Sequence, residues 1–123
     1  MPDLGRPGAI SSHRLAALGG VYAATGVALS AYAAHAALGG DAARLQTAAL
    51  FAFGHGVALA ALAHVPGNRW TLGGMLAIAA GVVLFAGSLV ARVVLHWPTT
   101  LAPFGGMLLI GGWLAFAVGQ VRR

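Results

Sequence analysis

The sequence predicts an all-α membrane protein: four transmembrane helices in an antiparallel up-down-up-down bundle, with both termini cytoplasmic. Three observations carry this. Of 123 residues, 59% are hydrophobic and only 7% are charged, against about 25% charged in an ordinary soluble domain. Four apolar runs each approach the ~20 residues that a helix needs to cross a bilayer core. The breaks between them are short enough to force antiparallel neighbours. Residues 1–123 therefore read as one transmembrane domain, with no length left for a soluble catalytic unit.

The first span is expected at about 15–38. Arg6 and Arg14 precede it, and "AYA" near its end imitates a signal-peptidase site. Its apolar run exceeds the roughly 7–15 residues of a signal-peptide core, which predicts a retained helix. "GGDAAR" at 39–44 supplies a turn, and the second span is expected at 45–65. "PGNR" at 66–69 leads to a third span at 71–95, and "HWPTT" at 96–100 leads to a fourth at 101–121. Gly, Pro and Asn in these breaks are turn formers. None of the runs alternates polar and apolar residues as barrel strands do.

Orientation follows from arginine. Arg6, Arg14, Arg69, Arg122 and Arg123 fall on one side and Arg44 and Arg92 on the other, so the first side is expected to be cytoplasmic. The net charge of +5 comes from arginines scattered singly, except Arg122–Arg123, with no basic stripe. They read as topology markers, and the expected partner is the lipid bilayer with no nucleic acid. Cysteine is absent, which excludes disulfides and thiolate chemistry.

Two faces of small residues are expected to pack helices, because lipid gives helices no hydrophobic drive to associate and small side chains permit close approach. Counting back from His35 by helical steps gives Ala31, Ala28, Ala24 and Gly20; the fourth span carries Gly105, Gly112 and Gly119. Packing within the chain is the first expectation. A homo-oligomer or another membrane subunit is the second.

Polar side chains inside a span are costly and need partners, so they are the candidate functional residues. Counting from the outer turns places His35, Gln46 and Arg92 in one layer with Pro103, with Tyr32 and Ser88 just below and His55 deeper. The candidate polar layer is thus His35, Gln46, His55, Ser88 and Arg92, a funnel narrowing towards His55. Plainer roles stand beside this one: Arg92 is close enough to the interface to snorkel, and His35 can bond a carbonyl or hydroxyl. His13, His64 and His96 fall at interfaces and need no special account. His35 and His55 differ in depth by about 12 Å on this count, too far for paired haem ligands, so no cofactor is expected. No carboxylate lies in any span, so no metal site is expected. No nucleophile–base–acid set appears, and the chain is not expected to be an enzyme.

Several stretches, taken in order, resemble one family. "SAYAAHAAL" (30–38) and "TAALFAFGHGVAL" (47–59) are similar to its G-A-F-G-A-H and T-A-x-x-Y-Q-x-x-H segments. "LFAGSL" (84–89) and "APFGGMLLIGGW" (102–113) are similar to its F-S-G-S-L and T-P-x-G-G…G-W segments. This is the domain-of-unknown-function 423 family of small inner-membrane proteins. The resemblance implies a four-helix integral protein of the bacterial inner membrane and brings no established activity. Its motif positions fall on His35, His55, Gly87, Ser88, Pro103, Gly105, Gly106 and Trp113. Ser30 and Ala33 stand where the family has glycine, Phe51 and Ala52 where it has Tyr-Gln, Ala86 where it has Ser, and Ala102 where it has Thr.

Together these readings predict a small membrane protein without enzymatic activity, a structural or accessory subunit that packs through Gly/Ala-rich helix faces. The alternative is an oligomeric small-solute or ion transporter that uses the polar layer.

Overall fold

The computed structural model describes residues 12–123; Arg6, counted above among the cytoplasmic arginines, lies outside them. The chain forms four helices, α1 (Ser12–His35), α2 (Gly39–Leu62), α3 (Arg69–Leu95) and α4 (Ala102–Val121). All four are long and apolar enough to cross a membrane. At 1.5 Å per residue the shortest, α4, spans about 30 Å, the thickness of a bilayer core. The chain is a multi-pass membrane protein.

The helix ends differ most from expectation at the first turn. "GGDAAR" is not a turn: α2 begins at Gly39, and only 36–38 connect it to α1. Gly39 has φ +59, a left-handed conformation that suits glycine and lets the chain reverse in so few residues. Asp41 then sits in the first turn of α2 and pairs with Arg44 at 3.3 Å. An acidic residue at a helix N-terminus and an i,i+3 ion pair both favour helix here. At α3, Asn68 caps the helix, accepting from Trp70 N–H at 3.0 Å and Thr71 N–H at 3.3 Å, in a reciprocal capping box. His96, at φ 57, ends α3, and Pro98 follows it.

Packing rests on two glycine-lined pairs. A Cβ on Gly19 would lie 2.5 Å from the Gly56 carbonyl oxygen, and one on Gly26 would lie 2.7 Å from Phe53 N. The α1–α2 contacts therefore run in opposite directions. Between α3 and α4, a Cβ on Gly74 would lie 2.5 Å from the Gly112 carbonyl oxygen, while Gly105 abuts Phe85 and Gly119 abuts Thr71. Gly105, Gly112 and Gly119 are all buried against α3.

The small face expected on α1 needs correction as an intrachain contact. Gly20, Ala24, Ala28 and Ala31 are exposed, and nothing lies within 4 Å of a Cβ on Gly20. The buried face is Leu15, Gly19, Gly26 and Ala33. His35, which anchors that ridge, is itself exposed; a ridge anchored on an outward residue stays outward.

The two pairs meet through α2 and α3, where Leu59 and Ile78 are almost wholly buried. Among the described residues, no Cα atoms of α1 and α4 come within 8 Å of each other, nor do those of α1 and α3 or of α2 and α4. One long aromatic side chain bridges each of the last two gaps. Tyr22 of α1 donates its hydroxyl to the Ala79 carbonyl of α3 at 2.8 Å. Trp113 of α4 donates its indole N–H to His55 of α2 at 3.1 Å.

Candidate functional site

His55 is a span side chain with both ring nitrogens in contact with polar partners. Gly54 and Gly56 flank it on α2, and it is half-buried. Its Nε2 accepts from Trp113, and its Nδ1 lies 2.9 Å from the Phe51 carbonyl oxygen one turn back. A carbonyl only accepts, so this arrangement requires the tautomer with hydrogen on Nδ1. Both ring nitrogens are then occupied. The ring also stacks on Phe51 (5.6 Å, 13°), and Phe51 in turn meets Phe85 at 4.5 Å. Leu50, Phe51, Gly54, His55 and Trp113 line a shallow groove of about 290 Å³ between α2 and α4. Where the family has Tyr-Gln, Phe51 thus supplies a carbonyl and an aromatic face, and Ala52 is buried in the core.

The other candidates lie apart from this cluster. His35 ends α1 and is exposed. Extending the α1–α2 register sets it near Ala42, about 20 Å along the axis from His55; haem ligands face each other across one iron, so these two do not form such a pair. Gln46 is exposed and accepts from the Ser30 hydroxyl at 3.3 Å. Ser88 shares the α4-facing side of α3 with Gly81 and Phe85 and is only 8% exposed; its Oγ has no hydrogen-bond partner among the described residues. Arg92, one turn further, is exposed near the end of α3, as is Pro103 in the first turn of α4. Among the described residues, no hydrogen bond joins His35, Gln46, Ser88 or Arg92 to one another or to His55.

Sequence reasoning passed over Trp113, Tyr22 and Ser30 as site residues. Trp113 carried a signal: a mid-span indole N–H requires an acceptor, and the span polar residues offer few. At the other end of the molecule, Asn68 donates to the Gly119 carbonyl and Gln120 to the Pro66 carbonyl and the Thr71 hydroxyl, tying the start of α3 to the end of α4. His13 and His64 meet edge to face there, 5.4 Å apart. Among the described residues, no three His, Asp or Glu side chains gather as a metal site would.

Two grooves flank α1. One, of about 540 Å³, runs between α1 and α3 and is lined by Val21, Tyr22, Val82, Val90 and other apolar residues. The second, of about 530 Å³, runs along α1 and α2, floored by Gly26 and Ala49 with Ser30 and Gln46 in its wall.

No solved structure matches the chain. A family model described as "Protein of unknown function (DUF423)" matches residues 29–106. That segment runs from the last two turns of α1 into the first turn of α4 and includes His35, His55, Ser88 and Pro103. Four membrane-spanning helices with this ordered set of motifs make the chain a member of the DUF423 family.

Proposed function

We propose that this protein is a small accessory or structural subunit of a membrane assembly, without enzymatic activity, in the bacterial inner membrane. Its helices run up-down-up-down with both termini in the cytoplasm. Arg14, Arg69, Arg122 and Arg123 support that orientation, as arginine is retained on the cytoplasmic side. Its partners are the surrounding lipid and other membrane protein chains, either copies of itself or a different subunit; nucleic acid is not among them.

The observation that carries this reading is the outward side of α1. Gly20, Ala24, Ala28 and Ala31 are all exposed there, on a helix that uses a different small face to bind α2. Small residues facing lipid gain little, whereas small residues facing another helix allow close contact. The polar groups of the spans support the non-catalytic half. Thr25 and Thr47 bond back to their own helix carbonyls, and both His55 nitrogens are engaged.

Native membranes solubilised gently and resolved by size, with the chain tagged, test the reading. It expects the chain in a species larger than the 12.3 kDa monomer. A chain that runs only as a monomer, with nothing captured by in-membrane cross-linking, overturns it.

A further inference from the structure

Charge is distributed unevenly between the two ends of the bundle. Asp41 is the one acidic side chain among the described residues, and it lies beside the α1–α2 turn, where it neutralises Arg44. The opposite end carries Arg14, Arg69, Arg122 and Arg123, all exposed, and no carboxylate side chain among the described residues meets any of them. Three of these arginines are gathered by the α3–α4 contact. Thr71 abuts Gly119, so the antiparallel register sets Arg69 level with Val121, next to Arg122. Side chains lock that end: Asn68 donates to the Gly119 carbonyl, and Gln120 donates to the Pro66 carbonyl and the Thr71 hydroxyl. The same Gln120 amide accepts from the Arg123 guanidinium at 3.3 Å. A carbonyl only accepts and a guanidinium only donates, so both contacts fix the amide the same way round. Arg123 is thereby tethered to the turn that precedes α3.

We propose that this end of the α3–α4 pair binds the phosphate headgroup of an anionic phospholipid, with Arg69, Arg122 and Arg123 as its cationic contacts. Depth selects a lipid. Arg69 opens α3 and Arg122 follows the last residue of α4, so the three side chains leave the apolar spans at the level of the headgroups. Trp70, next to Arg69, is 44% exposed, and an indole so placed anchors a helix at the lipid–water boundary. Charge selects an anionic lipid. Three neighbouring cations without an acidic side chain repel one another, and phosphate oxygens, which accept paired N–H bonds from a guanidinium, relieve that repulsion. Basic side chains at a membrane surface hold anionic headgroups in this way. At the α1–α2 turn Asp41 already supplies the counter-charge to Arg44, so no equivalent site forms there. The site stands whether or not the chain joins a larger assembly.

The full chain in a neutral detergent, given equal amounts of phosphatidylglycerol and phosphatidylcholine with the same acyl chains, tests this by native mass spectrometry. It is expected to retain the phosphatidylglycerol preferentially. Arg69→Gln and Arg122→Gln are each expected to weaken that retention about fivefold, the effect of one basic residue at an anionic surface. Arg44→Gln removes the same formal charge from the other end and is expected to leave it unchanged. Circular dichroism that matches the parent shows that the variants fold. Equal retention of the two lipids by the parent, or equal losses from Arg44→Gln and Arg69→Gln, overturns the proposal. Inorganic phosphate separates the two sources of the group. Present at the same concentration as the lipid, it is expected not to displace it, because the acyl chains add their own burial. Displacement at that concentration would assign the site to soluble phosphate and overturn the lipid. A photoreactive residue at position 122 that cross-links in native membranes to a polypeptide, and not to lipid, likewise overturns it.

Discussion

His55 and Ser88 are both polar residues in spans, yet their surroundings differ in kind. His55 is satisfied at both nitrogens, and Trp113 reaches it across a gap that the α2 and α4 backbones leave open. A hydrogen bond between membrane helices contributes about 0.6 kcal/mol on average and up to about 1.7. Trp113→Phe removes this bond and keeps most of the aromatic bulk, so it is expected to cost about 1 kcal/mol, read as a lower midpoint of unfolding in detergent. Ser88 reverses the expectation. Its buried hydroxyl has no partner among the described residues, so Ser88→Ala is expected to leave stability unchanged or raise it slightly in the same assay. A loss of more than about 1 kcal/mol for Ser88→Ala would show that the hydroxyl is engaged. Neither environment was legible in the sequence, because each depends on what a different helix presents at that depth.

Each helix pair closes on backbone. Gly19 and Gly56 face each other in α1–α2, and Gly74 and Gly112 do so in α3–α4, with no room for a Cβ at any of the four. A Cβ on Gly56 would lie 2.5 Å from Ala23 N and 2.6 Å from the Gly19 carbonyl oxygen. Those neighbours are main chain and do not rotate away, so the helices must separate. Gly56→Val is expected to cost about 2–3 kcal/mol or prevent assembly. Gly73→Ala, where nothing lies within 4 Å, is expected to be neutral or to gain up to about 1 kcal/mol from helix propensity. Denaturant titration of the two variants side by side checks the contrast. The heptad of glycines on α4 could be read from the sequence because it repeats three times at 105, 112 and 119. The α1 face was harder, since nearly every position there is small and two adjacent ridges look alike until a partner helix selects one.

Across the whole molecule, two tight pairs share one joint between α2 and α3, and the outer helices α1 and α4 stand apart. Tyr22 and Trp113 each brace one outer helix across the joint, Tyr22 to α3 and Trp113 to α2. The orientation in the membrane is open to direct measurement on this cysteine-free chain. With a membrane-impermeant maleimide on intact spheroplasts, Gly40→Cys and Thr99→Cys are expected to label, and Pro66→Cys only after lysis. Labelling of Pro66→Cys in intact spheroplasts would invert the assignment.

Local composition alone determined that there are four spans and roughly where they lie, because partition into a bilayer depends on the apolarity of about 20 consecutive residues and not on their neighbours in space. The same locality explains why arginine placement already suggests an orientation. Tertiary structure decided everything that depends on facing: that α1 meets α2 through Gly19 and Gly26 while Gly20 and Ala24 point outward, that Trp113 finds His55, and that Ser88 finds no partner among the described residues. One residue of helical register turns a side chain by about 100°. In a chain this rich in Ala and Gly, only the packed partner distinguishes one register from the next.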